Sequence, residues 1–309
     1  MKNYPFVSVV LPAYNAETTI SESIQSIIDQ TYKSWELIVI NDGSIDNTKS
    51  KILSFKDSRI KYIENDGNKG LIYTLNRGID LAMGKYIARM DADDICMPER
   101  FEKQVAFMEE NPKVIVCGTY MKKFGMEKGI CTYKLKDSDI KNSYLSHTCF
   151  GHPSVMINRK LLNQSGKRYD SNFKNAEDAK LWLDLMPFGE FANLPEPLLM
   201  YRISVSQCTN YGHIEMAEST KKCCTAYLKE KIGIDLFNDY VKNGVSVRFL
   251  KLVKKKNETK QILAALYMNM ECFDIRTFLY YIVSSDFLID TSCIKSVLNR
   301  FIGRTQRRF

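Results

Sequence analysis

The amino-acid sequence predicts an α/β domain, a mostly parallel sheet flanked by helices, followed by a C-terminal helical extension. Three observations carry this. Short apolar runs recur through the first half of the chain and read as buried strands. Amphipathic stretches with apolar residues at three- and four-residue spacing separate them. Beyond about residue 212 the composition shifts to Lys-rich helical stretches with aromatics, such as "KKCCTAYLKEKIG".

The first strand is "FVSVVL" (6–11), followed by a helix near 17–30, in which Ile20, Ile24, Ile27 and Ile28 share one face. "ELIVIN" (36–41) and "RIKYIE" (59–64) are the next strands, with helices near 46–56 and 70–82. "KYIARM" (85–90), a helix near 98–110 and "VIVCG" (114–118) complete the alternation. Repeated strand–helix–strand units imply right-handed crossovers and parallel order. Residues 120–155 are less regular and richer in charge. Order returns with "PSVMIN" (153–158), a helix opening at "AEDAKLWLDLM" (176–186) and a strand at "LLMYRI" (198–203). This divides the chain into a domain over 1–212 and a basic, mostly helical extension over 213–309.

Composition narrows the function. The 309 residues are 45% hydrophobic and carry a formal charge of +8, which points to anionic partners. Nine scattered cysteines with no C-x-x-C fit a reduced, cytoplasmic chain better than a disulfide framework or a zinc site. No apolar run reaches the roughly 18 residues of a membrane-spanning helix. The opening "MKNYPFVSVVLPAYN" is broken by Pro12 and Asn15 and does not read as a signal peptide. A G-x-G-x-x-G dinucleotide fingerprint is absent. "GIDLAMGKY" (78–86) has the wrong glycine spacing for a phosphate loop, and it runs from a helix into a strand. Three histidines and no H-E-x-x-H weigh against a histidine-rich metal site.

Open parallel sheets bind ligands at the carboxyl ends of their strands. "LPAYN", "NDGS" and "DADD" all fall there. On an extended backbone Asp91 and Asp93 project to the same side. Converging carboxylates repel unless a hard cation joins them; Mg²⁺ or Mn²⁺ takes one or two carboxylates and completes its shell with phosphates and water. The plain alternative is a solvated turn ahead of the helix that Pro98 begins. "NDGS" (41–44) reads as a turn whose Asp42 or Ser44 caps a helix, or as a site where Asp42 accepts a hydrogen bond from a base. Glu177 and Asp178 complement a helix dipole or serve chemistry. Leu181, Trp182 and Leu185 give that helix its core face.

The motifs gain force together. "VSVVLPAYNAE", "WELIVINDGSIDNT", "NKGLIYTLNRGI", "GKYIARMDADD", "HPSVMINRKLL" and "AEDAKLWLDL" follow in order over residues 5–205. This ensemble resembles the family 2 glycosyltransferases, inverting enzymes of GT-A fold that use nucleotide-activated sugars. The resemblance implies that Pro12, Ala13, Tyr14 and Glu17 line the nucleotide pocket. It implies that Asp42 reads the base, usually uracil, with Lys69 near it or the phosphates. It further implies that Asp91 contacts ribose or metal, that Asp93 ligates the metal on the diphosphate, and that Asp178, beside Glu177, is the catalytic base. Many relatives carry His two residues after the "YR" pair, where this chain has Ser204, leaving Arg202 to meet phosphate.

The expected activity is metal-dependent transfer from a nucleotide sugar, usually a UDP-sugar, to a surface-glycan acceptor that is free or lipid-linked. The rivals are a nucleotide-sugar-binding subunit without turnover and a sugar-phosphate nucleotidyltransferase. The latter expects a Gly-rich basic loop that "LPAYNAETT" lacks. The tail "KSVLNRFIGRTQRRF" (295–309) carries Lys295, Arg300, Arg304, Arg307 and Arg308 and no acid. It reads as a segment lying on the anionic cytoplasmic membrane face, or as a helical cap ending in a solvated basic tail. Nucleic acid is not expected, since no recognition fold accompanies the charge.

Overall fold

The computed structural model describes residues 6–144 and 148–204, with isolated positions between 219 and 238. The boundary expected near residue 212 and the basic tail lie outside the described residues. The chain divides into two compact units, Met1–Cys223 and Cys224–Phe309, and the sheet belongs to the first.

Its elements run β1 (Val7–Ala13), α1 (Ile20–Ile28), β2 (Trp35–Asn41), α2 (Thr48–Ser54), β3 (Ile60–Glu64), α3 (Leu71–Leu81), β4 (Tyr86–Arg89) and β5 (Ile95–Cys96). There follow α4 (Arg100–Glu110), β6 (Val114–Gly125), β7 (Gly129–Cys131), α5 (Asp137–Ser143), β8 (Met156–Asn158), α6 (Arg159–Ser165), α7 (Glu177–Leu185) and β9 (Glu190–Ile203). The strand order is β3-β2-β1-β4-β8-β6-β9-β5, with β7 paired to β6. β3, β2, β1 and β4 are parallel neighbours, as are β6 and β9. β8, β5 and β7 join antiparallel to their neighbours, so the sheet is mixed but mostly parallel.

Alternation sorts each central strand between two cores. Val7, Val9, Leu11, Leu37 and Val39 pack on one face with Ile24 of α1 and Phe101 of α4. Val10, Ile38 and Ile40 pack on the other with Leu75 of α3 and Leu181 of α7. Cover on both faces explains why β1 and β2 read as continuous apolar runs.

Two strands are longer than the sequence predicts. β6 runs past Gly118 to Gly125 and turns back as β7, and β9 begins at Glu190 rather than at 198. Beyond Met121, β6 carries the exposed Lys122 and the half-buried Lys123 and Phe124, so its outer half lacks the apolar run that marks a fully covered strand.

Candidate active site

The chain winds outward from β1 to β2 to β3 and then returns to β4 on the other side of β1. That reversal opens a crevice at the carboxyl ends of β1 and β4, where ligands bind in sheets of this kind.

On one flank, the loops after β1 and β2 are stitched to each other. Asn15 donates its backbone N–H to Ser44 Oγ at 3.0 Å, and its Oδ1 accepts from Ile45 N at 3.0 Å. Ala16 N donates to Thr48 Oγ1 and Glu17 N to Asp46 Oδ2. Glu17 Oε2 accepts both Asn47 N and Asn47 Nδ2. Asn15 takes a φ of 47°, a left-handed value that Asn tolerates better than most residues. Pro12 and Ala13 end β1 just before this loop, and Tyr14 is 48% exposed.

Asp42 is buried, and its carboxylate organises the next loop. Oδ1 accepts from Asn65 Nδ2 (2.6 Å) and Lys69 N (2.9 Å), and Oδ2 accepts from Gly70 N (2.9 Å). Lys69 is thus brought to Asp42 through its backbone. Gly43, at φ 71°, lets the two loops touch: a Cβ there would stand 2.5 Å from the Gly67 carbonyl carbon. Neither Asp42 nor Ser44 caps the following helix, which starts at Thr48.

On the other flank the aspartates converge, but not by the route the sequence predicts. β4 ends at Arg89, and Ala92–Asp93 form a turn rather than extended strand. The turn still brings ligand oxygens of Asp91, Asp93 and Asp94 within 4.8 Å of one another. Nor is it solvated: Asp94 is 0% exposed, accepts Arg202 N at Oδ1 (2.9 Å), and leaves Oδ2 without a partner among the described residues. Burial, with Asp91 nearby, pushes the Asp93 carboxyl up to about 6. Burial, Asp91 and Asp93 push Asp94 up to about 8. An orphaned buried oxygen among crowded carboxylates fits a hard divalent cation, whose preferred ligands are oxygens. Asp94 belongs to the acidic run in the sequence, but the resemblance gives a role only to Asp91 and Asp93; its place among the converging oxygens comes from the structure.

Arg202 reaches this cluster, though its partners are protein groups. Its Nε donates to the Asp93 carbonyl at 2.7 Å, its Nη2 pairs with Glu22, and its guanidinium lies 4.4 Å from the centre of the Phe124 ring. It braces the turn between β9 and α1.

Glu177 and Asp178 open α7. Asp178 Oδ1 accepts Ala179 N at 2.7 Å, while burial raises its carboxyl above the ordinary aspartate value. Glu177 is 8% exposed and is raised by burial and by Asp178. Nearby, His152 Nε2 of the half-buried imidazole lies 2.7 Å from the hydroxyl of the buried Tyr169. Burial holds the imidazole well below its ordinary range and the phenol well above.

Two arginines escaped the sequence reading. Arg89 is 5% exposed, and its Nη2 meets Asp91 Oδ1 at 2.5 Å. Arg100 is fully buried and donates to the Arg89 and Val155 carbonyls at 2.9 and 3.2 Å. Arg100 stands in an amphipathic helix, where a charge ordinarily marks the solvent face.

The chain is similar to known proteins in sequence and in fold. The model of "Glycosyl transferase family 2" matches residues 8–165. An uncharacterized glycosyltransferase of Haemophilus influenzae is 38% identical, over 98% of both chains. UDP-Glc:alpha-D-GlcNAc-diphosphoundecaprenol beta-1,3-glucosyltransferase WfgD of Escherichia coli is 36% identical over 78% of this chain and 88% of its own length. Among solved structures, S. aureus TarS 1–349 in complex with UDP-GlcNAc superposes with a TM-score of 0.63 at 19% identity, covering 84% of this chain and 79% of that one. That likeness shows a shared GT-A-type fold.

Proposed function

We propose that this chain, which belongs to glycosyl transferase family 2, transfers a sugar with inversion from a UDP-sugar to a hydroxyl of a growing surface glycan, using Mg²⁺ or Mn²⁺. The observation that carries this is the pairing of two acidic groups at the β4 end of the crevice. One is the three-aspartate turn with its orphaned Asp94 Oδ2; the other is Glu177–Asp178 on α7. UDP-GlcNAc bound to TarS and the UDP-glucose in the name of WfgD support the donor class.

In this reading the stitched loops over Pro12, Ala13, Tyr14, Glu17 and Asp42 hold the nucleoside, with Lys69 beside it. Asp42 keeps acceptor capacity for the base at Oδ2, which takes one protein bond. Asp91, Asp93 and Asp94 would hold the cation. A divalent cation, when bound, offsets the charge that develops on the departing diphosphate. Asp178 takes the proton of the attacking acceptor hydroxyl as its oxygen bonds the anomeric carbon and the bond to diphosphate breaks. Burial makes Asp178 a stronger base than a solvated aspartate. Positioned proton transfer of this kind is worth about 10²–10⁴-fold.

The diphosphoundecaprenol acceptor named for WfgD supports a lipid-linked acceptor at a membrane surface. Among the described residues no helix is long and apolar enough to cross a membrane. We read the basic tail, from its charge alone, as a peripheral membrane contact, and co-sedimentation with anionic liposomes tests it against a chain ending at Ser292.

The activity test is release of nucleoside diphosphate from a panel of UDP-sugars, with Mn²⁺ or with chelator. Mn²⁺-dependent release, enhanced by an undecaprenyl-diphosphate-linked sugar, is the expected result. Binding of UDP-sugar with no release under any condition would make the chain a non-catalytic subunit.

A further inference from the structure

The established motifs leave one buried charge without a role. Arg89 is the last residue of β4, and its backbone is fixed on both sides. Its N–H donates to the Val155 carbonyl at 3.0 Å, and its own carbonyl accepts from Arg100 Nη2 at 2.9 Å. The side chain is almost fully enclosed and makes one ion pair, Nη2 to Asp91 Oδ1 at 2.5 Å. Its Nε and Nη1 are buried with no hydrogen-bond partner among the described residues.

This is an expensive arrangement. A buried guanidinium cannot shed its proton, and leaving its donors unpaired costs free energy. A buried ion pair is weak evidence of stabilisation, and fixing a particular geometry is the better-supported reason to keep one. Here the pinned partner is an aspartate of the acidic turn. Besides meeting the turn through Asp91, the same charge pulls down the carboxyls of Glu177 and Asp178.

We propose that Arg89 is a positioning residue for sugar transfer: it fixes the Asp91 carboxylate by one oxygen, leaving the other for ligand, and supplies the fixed positive charge shared by the cation-holding turn and the base. This rests on the reading of Asp178 as the base. Four other titratable groups act with Asp178, namely Glu177 on its own helix, Tyr169, Tyr133 and Cys149. Burial holds the two phenols and the thiol neutral. Arg89 is therefore the charged side chain that acts on Asp178, and Asp178 in turn raises Glu177. Around Arg89 itself stand Asp91, Asp93, Asp94, Tyr169, Tyr201, His152 and Arg100.

The test compares full-length wild type, Arg89→Met and Arg89→Lys, each checked for folding by circular dichroism, in steady-state transfer with saturating Mn²⁺. Arg89→Met should lower kcat by about 10–10²-fold, more than it raises the donor KM. It should also move the acid limb of the kcat–pH profile upward by about 1 unit. Arg89→Lys keeps the charge but not the planar fork, so it should lose kcat while its acid limb stays at the wild-type position. A folded Arg89→Met with kcat and acid limb unchanged would overturn the proposal. Should Arg89→Met not fold, Arg89→Lys decides alone: wild-type kcat or a displaced limb overturns it. Asp178→Asn runs in parallel. If that variant still transfers, the assignment of the base has failed; if it is inactive and Arg89→Met is normal, only the role of Arg89 has failed.

Discussion

Opposite ends of the same parallel strands bury carboxylates in opposite ways. At the amino end, Glu36 of β2 is 2% exposed and fully engaged. Its Oε1 accepts from Ser8 Oγ at 2.5 Å and Met83 N at 2.9 Å, and its Oε2 pairs with Lys61 Nζ at 2.6 Å. Burial pushes this carboxyl up, but bonds from Lys61, Ser8 and Met83 outweigh it and hold the group below its ordinary value. At the carboxyl end, burial and mutual repulsion win, and Asp93 and Asp94 are raised. One end is a finished structural joint. The other crowds three aspartates around one ion-paired arginine, and the negative charge left over is what a ligand can offset.

Substitutions at the two ends should therefore fail differently. Asp178→Asn keeps size and the bond to Ala179 but removes the proton acceptor, so transfer should fall by about 10²–10⁴-fold. Donor affinity by calorimetry should stay near wild type; joint collapse of affinity and rate would make Asp178 structural. Asp93→Ala should cost about 10²–10³-fold in Mn²⁺-dependent turnover, while the melting temperature holds because the carboxylate is not a satisfied joint. Glu36→Ala should do the reverse. Ser8 and Met83 lose their buried acceptor, which costs about 1–3 kcal/mol of stability by denaturant titration, with activity per folded molecule unchanged.

The smallest effect is a pH dependence. Asp93 and Asp94 bind protons more tightly folded than unfolded, so folding takes up protons between about pH 4 and 8. Their contribution to stability is full below the ordinary aspartate pKa and is lost as pH rises through about 6 and about 8. In metal-free protein, Asp94→Asn, which still accepts from Arg202 N, should melt about 2–4 °C above wild type at pH 8. The gap should narrow at pH 5, vanish below about pH 4, and close on adding Mn²⁺. A gap independent of pH would mean that Asp94 carries no raised charge.

How far the sequence speaks follows the same division. The central strands were legible because cover on both faces leaves continuous apolar runs, as in "ELIVIN". Asp42, Asp91, Asp93 and Asp178 stand out as candidates by residue type, by place and by the resemblance, and the structure draws Asp91 and Asp93 into one cluster. The outer half of β6 was not legible, because one uncovered face admits Lys122. Arg89 and Arg100 were illegible for a deeper reason: a buried charge and a solvated one are written with the same letter, and only the packed neighbours tell them apart. The turn at Ala92–Asp93 was legible only as a solvated alternative, since period-two alternation assumes an extended backbone that β4 gives up at Arg89.

In the proposed reading the carboxyl-end aspartates take up a cation that meets the donor diphosphate, whereas the amino-end Glu36 is already paired with Lys61. Titration calorimetry of UDP tests it most directly, with and without Mn²⁺, into wild type, Asp93→Ala and Glu36→Ala. UDP should bind wild type and Glu36→Ala alike when Mn²⁺ is present, weaken at least about tenfold with chelator, and weaken equally in Asp93→Ala whether or not Mn²⁺ is there. UDP binding indifferent to Mn²⁺ and to Asp93→Ala would contradict the account.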